Sequence, residues 1–340
     1  MRTAVKISAA VAAVAGLAAA APAAMADPQP AGFRTYAAVG SDTTQDVWNG
    51  LTNGANAPIP TVASYDAFPQ DTYIQTKAGG PSFIRPSGSG DGVKALTASL
   101  TGGAWKGVNI AGQVDIARSS SGPVAGSGLT YLPFARDAVS VAVNASGTVK
   151  LTKAQITAIY KCELSTIKVG TKTVTVHPKL PQAASGTRKF FLSVIGVTTP
   201  GSCVAQLDLP ENDGSLIPAA GDMIPFSAAQ YIAQKNGAVT DTTTASTKLA
   251  TIDGLSAAKL NATTGQWVPG TLYGSVTAPP AAGGFARDTY NVIGTAKLGT
   301  PLEATVVKAA KQSATLTKYG FKKLGYAGVK DYYLSGAYQY

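Results

Sequence analysis

Along this chain the spacing of apolar residues switches repeatedly between every second position and every third or fourth, and each switch marks an element. The run Thr35-Tyr36-Ala37-Ala38-Val39-Gly40 reads as a strand, after which Val47, Trp48 and Leu51 recur at helical spacing. Residues 114–117 read as a second short strand and residues 137–144 as a longer one. Thr152 then caps a helix that carries Ile156, Ile159 and Tyr160 on one face. Phe190, Phe191, Val194 and Ile195 line a helix that opens at Ser185, and another helix runs from Ser227 to an Asn236-Gly237 stop. Residues 289–293 form a late strand and 301–312 a late helix. Strands alternating with amphipathic helices predict an α/β architecture with parallel strands.

Two Gly/Pro/Ser-rich breaks, at 119–128 and 278–284, bracket a middle block. They predict an outer lobe made of 27–133 and 276–340 and an inserted lobe of 134–275. Two crossovers between lobes make a hinge, and clefts between lobes are where ligands bind. At the other end of the chain, Arg2 and Lys6 precede an Ala/Val/Leu run that stops at Ala24-Met25-Ala26, the pattern of a secretory signal peptide over 1–26. No Cys follows that run to carry a lipid, so the expected product is secreted, extracellular and not lipid-anchored.

Composition narrows the chemistry. The formal charge of +10 falls to about +8 once Arg2 and Lys6 are removed, and only three glutamates occur, Glu163, Glu211 and Glu303. A basic balance steers anions, although here the Lys and Arg are scattered. Cys162 and Cys203 in an exported chain are expected to form a disulfide. With His177 as the sole histidine, neither a metal nor a cofactor is expected.

Three turns share one chemistry. Gly40-Ser41-Asp42-Thr43-Thr44, Ser87-Gly88-Ser89-Gly90-Asp91-Gly92 and Ser185-Gly186-Thr187 each put small hydroxyl-bearing residues ahead of an amphipathic helix. Each alone is an ordinary cap. Together they suit an oxyanion, because the first N–H groups of a helix and the positive end of its dipole hold negative charge, and glycine lets the backbone come close.

These segments resemble the phosphate-binding receptors of ABC phosphate importers, in the type 2 periplasmic-binding-protein superfamily. Gly88-Ser89-Gly90-Asp91-Gly92-Val93-Lys94 is similar to that family's Gly-Ser-Ser-Gly-Gly-Val-Lys turn, and Ser185-Gly186-Thr187 to its Ser-Gly-Thr. The stretches 114–120, 132–133 with 138–144, 151–160, 230–236 and Leu324-Gly325-Tyr326 also resemble family segments. The resemblance implies a two-lobed α/β fold with a ligand cleft, and anion contacts from Ser89, Ser185, Gly186 and Thr187. It also shows departures. Ser120 stands where the family has an Asp that takes the proton of hydrogen phosphate, Pro181 or a neighbour where it has an Arg, and Asp42, beside Thr43, where it has a Thr. Arg118 is the residue expected to restore the missing positive charge, with a structural pairing to Asp42 as the other reading; Arg85, Arg136 and Arg188 are weaker candidates.

Enzymes fit poorly. No G-x-S-x-G elbow and no Walker A loop occur, and the scarcity of Glu argues against paired-carboxylate glycoside chemistry. The expected partners are a small anion, phosphate or a related oxyanion, and an ABC permease or a cell-wall polymer, with no nucleic acid and a monomeric chain. The rival reading is an extracellular interaction protein with a changed or lost ligand site. Its surface would be Lys318-Tyr319-Gly320-Phe321-Lys322-Lys323 and the tyrosines Tyr332, Tyr333, Tyr338 and Tyr340.

Overall fold

A computed structural model describes residues 27–28, 32–54 and 56–338, so the expected signal peptide lies outside the described residues. Its frame is an eleven-stranded sheet: β1 (Tyr36–Gly40), β2 (Val62–Ser64), β3 (Ile116–Ser119), β4 (Gly128–Asn144), β5 (His177–Leu180), β6 (Ala205–Gln206), β7 (Asp222–Ser227), β8 (Thr247–Leu249), β9 (Ala286–Gly294), β10 (Lys322–Lys323) and β11 (Leu334–Ala337). The main path runs β6-β5-β7-β4-β9-β3-β1-β2, with β8, β10 and β11 also pairing with β4.

The expected parallel sheet holds only at the two flanks. β1 pairs in parallel with β2 and β3, and β5 with β6 and β7. The centre is antiparallel, because β4 runs against β7 and β9, and β9 runs against β3. β4 is the reason. It is 17 residues long, nine residues more at its start than the alternation of 137–144 suggests, and all but its end residues are buried. Continuous burial removes the alternation by which a strand is recognised. Pro133, which has no N–H to give, sits at a register shift where Thr289 faces Ala135 and Tyr290 faces Pro133, leaving Phe134 as the extra residue. That bulge turns Phe134 onto Trp48, ring centroids 5.7 Å apart.

The helices are α1 (Gln45–Thr52), α2 (Ser89–Thr101), α3 (Lys153–Tyr160), α4 (Gly186–Ile195), α5 (Ala228–Lys235), α6 (Pro301–Ala310) and α7 (Ser313–Lys318). Their starts are set by local chemistry. Thr152 and Gln155 close a capping box on α3, and the Ser185 and Ser227 hydroxyls accept from the Arg188 and Gln230 N–H groups at the starts of α4 and α5.

One apolar core is built from residues between Ala138 and Phe285, among them Ile156, Tyr160, Phe191, Ile195 and Tyr273. Two others draw mainly on residues before Phe134 and after Val292, including Trp48 with Val306 and Phe321, and Phe83 with Leu96. Helix α5 joins them: Ala228 and Ile232 pack into the first, Ala229 and Ala233 into the second. The Cys162–Cys203 disulfide, Cα atoms 5.9 Å apart, ties the residue just beyond α3 to the loop after α4. Among the described residues no helix is long and apolar enough to cross a membrane.

The basic, aromatic end of the chain is not the free surface that the interaction-protein reading needs, and Tyr340 lies outside the described residues. Tyr319 and Phe321 are buried, Tyr332 and Tyr333 pack on the core, Tyr333 donates to Glu303 at 3.1 Å, and β11 is docked along β4.

Candidate functional site

All three hydroxyl-rich helix starts meet at one buried point. β1 ends at Gly40 in a conformation with φ +115°, where a Cβ would lie 2.6 Å from the Arg118 carbonyl and 3.2 Å from the Gly92 Cα. Only glycine allows that approach, and it brings the first turn of α2 against the end of β1. The chain then enters a short 3-10 turn, Asp42–Thr44, that presents the Thr43 hydroxyl.

Ser89 opens α2, and its Oγ accepts from the Ser120 N–H at 2.9 Å and lies 3.1 Å from the Ser120 Oγ. Gly186 opens α4 directly above them: a Cβ there would stand 2.3 Å from the Ser89 Oγ and 2.4 Å from the Ser120 Oγ. The Thr187 Oγ1 lies 3.1 Å from the Thr43 Oγ1, and the Gly90 N–H donates to the Ala184 carbonyl at 3.2 Å. Thr43, Ser89, Ser120, Ser185 and Thr187 are all essentially inaccessible. The structure thus brings together Thr43, Ser89, Ser120, Ser185, Gly186 and Thr187, with Asp42 beside Thr43.

The cation is not the one expected. Arg118 is fully buried with its guanidinium turned into the frame: it donates to the carbonyls of Ala38 (3.1 Å), Ser41 (3.3 Å) and Tyr65 (2.7 Å) and to the Ser64 Oγ (2.9 Å). Burial lowers its pKa to about 10, which leaves it charged at neutral pH. A ligand role for Arg118 is therefore corrected to a structural one, stapling the ends of β1 and β2. The expected contact ion pair with Asp42 is not formed either among the described residues. Arg85 holds Asp27, Arg188 bonds the Pro181 carbonyl and Gln206, and Arg136 points elsewhere.

Arg287 supplies the charge instead. Its Nη2 donates to the Thr187 Oγ1 at 2.9 Å and reaches the Thr43 Oγ1 at 3.4 Å, and its Nη1 donates to the Ser120 carbonyl at 3.1 Å. The signal for it lies in a repeated triplet, Ala135-Arg136-Asp137 and Ala286-Arg287-Asp288. Antiparallel pairing of β4 with β9 sets Arg287 opposite Asp137 and Asp288 opposite Arg136. Because successive residues of a strand face opposite sides, the two ion pairs point apart. Arg287 with Asp137 faces the hydroxyl cluster. Arg136 with Asp288 faces away, bonded to Tyr326 and the Tyr273 carbonyl.

Two carboxylates also lie in the cluster. Asp42 accepts from the Thr43 N–H at 2.7 Å, and Glu211, on the loop after β6, accepts from the Thr43 Oγ1 at 3.0 Å. The Asp42 Oδ2 and Glu211 Oε2 are buried with no donor among the described residues. Burial, then the neighbouring Glu211 carboxylate, holds the Asp42 carboxyl well above the usual carboxylate range. Asp42 thus puts a carboxyl group, accepting from the Thr43 N–H through its Oδ1, where the family it resembles has a Thr. Gln230 completes the rim, donating to the Thr43 carbonyl at 2.7 Å, while Gln182 and Gln70 link Ser87 across to α4's approach. A cavity of about 270 Å³ opens beside Ser89, lined also by Tyr131, Lys189 and Phe190. Among the described residues no group of three His, Cys, Asp or Glu is placed to hold a metal ion.

Known proteins agree with this architecture. Residues 51–315 match the PBP superfamily domain. No curated protein sequence matches the chain. Among solved structures, a putative phosphate ABC transporter substrate-binding protein from Clostridium perfringens superposes with TM-score 0.57 at 15% identity, over 85% of this chain and 99% of that one. An ABC-type phosphate transport receptor from Vibrio cholerae gives 0.52 at 17%, over 84% and 99%. A phosphate-binding protein from Stenotrophomonas maltophilia gives 0.52 at 14%, over 87% and 92%. The fold is the type 2 binding-protein fold, in a divergent form.

Proposed function

We propose, for a chain that belongs to the PBP superfamily, that it is a secreted solute-binding protein holding a small oxyanion, phosphate first, for ABC-type uptake. The ligand lies in a cleft between an outer lobe (27–133 and 276–340) and an inserted lobe (134–275). The observation that carries this reading is the meeting of three hydroxyl-rich helix starts with Arg287 at one buried point. Donors converge there from both sides of the proposed cleft, Thr43 and Ser89 from one and Gly186 and Thr187 from the other, which is what an anion that draws two lobes together needs. The role is binding.

The test is calorimetry of the mature protein with phosphate and sulfate. A saturable heat with a matching rise in thermal midpoint supports the reading. No heat and no shift at millimolar phosphate sinks it. The rival, an interaction protein on the same fold, draws on one observation, the two carboxylates Asp42 and Glu211 in the cluster.

A further inference from the structure

The two carboxylates have a consequence for which anions the cluster admits. Glu211 is one of three glutamates in the chain, and it is 2% exposed. Its loop is firmly held: the Gln182 N–H donates to the Leu209 carbonyl (3.0 Å), the Gln234 Nε2 to the Asn212 carbonyl (2.7 Å) and the Ser227 N–H to the Asn212 Oδ1 (2.9 Å). Asn212 itself adopts φ +72°, a left-handed residue that turns the loop inward. Backbone anchoring on both sides of Glu211 drives its carboxylate to the Thr43 hydroxyl.

That hydroxyl is a donor an oxyanion needs. Thr43 Oγ1 touches Thr187 Oγ1, which takes Arg287 Nη2, so the Glu211 carboxylate joins the chain of donors from which the proposed ligand would be held. The charges facing Glu211 are Asp42 from the turn after β1, Arg287 from β9 and, behind it, Asp137 from β4. Arg287 is already matched by Asp137. Asp42 and Glu211 therefore bring two carboxyl groups to the cluster, each with a buried oxygen that has no donor among the described residues, and Arg287 is not free to balance them.

We infer that Glu211 is an intramolecular anion that takes the oxyanion's place at Thr43 and so sets the specificity of the site, admitting an anion only against its own carboxylate. This rests on the oxyanion reading above. Glu211 then weakens inorganic phosphate binding, and removing its charge strengthens it.

The experiment titrates phosphate into the wild-type protein, Glu211→Gln and Glu211→Ala at pH 7, and follows thermal midpoints in phosphate-free and phosphate-containing buffer. Both variants are expected to bind phosphate about tenfold tighter or more, since a like charge at contact distance in a buried site opposes binding strongly. Glu211→Ala is expected to melt lower than wild type without phosphate and to regain its midpoint when phosphate is added, as a ligand that replaces an internal one must. Equal or weaker binding by both variants, with no phosphate rescue, overturns the inference while leaving the anion reading intact. Absence of phosphate binding by wild type and variants alike overturns both. Should Glu211→Ala not fold, Glu211→Gln keeps the size and hydrogen bonding of the side chain and decides on affinity alone.

Discussion

Arg287 and Asp137 face each other across β9 and β4, with the Arg287 Nε and Nη2 both donating to one carboxylate oxygen at 3.1 and 2.8 Å. The pair is fully buried, and Asp137 also accepts from the Ala229 N–H at the start of α5 (3.1 Å). Removing the cation strands a buried carboxylate, which costs about 3 to 5 kcal/mol. Arg287→Gln is therefore expected to lower the thermal midpoint and to abolish anion binding, and adding Asp137→Asn to recover stability without recovering binding. Calorimetry and thermal unfolding of the two variants separate the effects; recovery of binding in the double variant would remove Arg287 from the site.

Gly186 lies against Ser89 and Ser120 more closely than any Cβ tolerates. Gly186→Ala is expected to force the start of α4 off the start of α2 and to weaken phosphate binding about tenfold or more, with a modest loss of stability. Ser89→Ala and Thr187→Ala, which leave the spacing intact, are each expected to cost about 1 to 3 kcal/mol of binding, the range for hydrogen bonds to charged groups. Asp91→Asn, in the first turn of α2, is expected to change the affinity little. Equal affinities across the series would place the ligand elsewhere.

Arg118→Met tests the opposite role. It takes one donor each from the Ala38, Ser41 and Tyr65 carbonyls and from the Ser64 hydroxyl, the Ala38 carbonyl keeping the Tyr65 N–H, and the expected loss of stability is about 3 kcal/mol or more. Anion affinity of the folded fraction is expected to change less than twofold. Urea unfolding combined with calorimetry checks both, and loss of binding at unchanged stability would return Arg118 to the site.

Asp46, on α1, gives a pH dependence with a definite sign. Burial first, then the neighbouring Asp66 carboxylate, pushes its pKa up to about 6, against the Gln230 amide that bonds it at 3.1 Å. A carboxyl whose pKa is raised on folding favours the native state where it is protonated. Its contribution therefore falls as pH rises from about 4 through 6, by up to about 3 kcal/mol less what solvent screens at this half-buried position. Asp46→Asn is expected to flatten the stability profile between pH 4 and 6 and to raise the midpoint at pH 7. An unchanged slope would contradict the burial argument.

Much of the fold was legible because periodicity and capping chemistry act locally: the Thr152 box, the Ser227 cap and the helix of Val47, Trp48 and Leu51 lie where the pattern puts them. The length of β4 was not, since a strand buried on both faces has no alternation to read. At the site, Ser89, Gly186 and Thr187 were visible as turn residues, whereas Arg287, Asp137 and Glu211 carry no turn signature. Arg287 and Asp137 are set by pairing between strands far apart in sequence, and Glu211 by a loop whose anchors lie on α5 and before α4. Arg118 misled because a strand-end arginine is as well suited to binding carbonyls of its own sheet as to binding a ligand.

The many partners of β4 also fix an order of events in folding. Every strand that pairs with it follows it in the chain, from Asp222 in β7 to Ala337 in β11. Whenever the chain emerges in sequence order, β4 arrives as a largely apolar run, its Arg136 and Asp137 still without their ion-pair partners on β9, with neither edge hydrogen-bonded, and waits for most of the molecule to follow. Contacts of such long range form slowly, because loop closure must come before any of them is gained. An unpaired apolar strand is meanwhile open to other chains. Spontaneous refolding of this protein is thus a race between the arrival of β9 and β11 and aggregation through β4, and its yield falls as protein concentration rises.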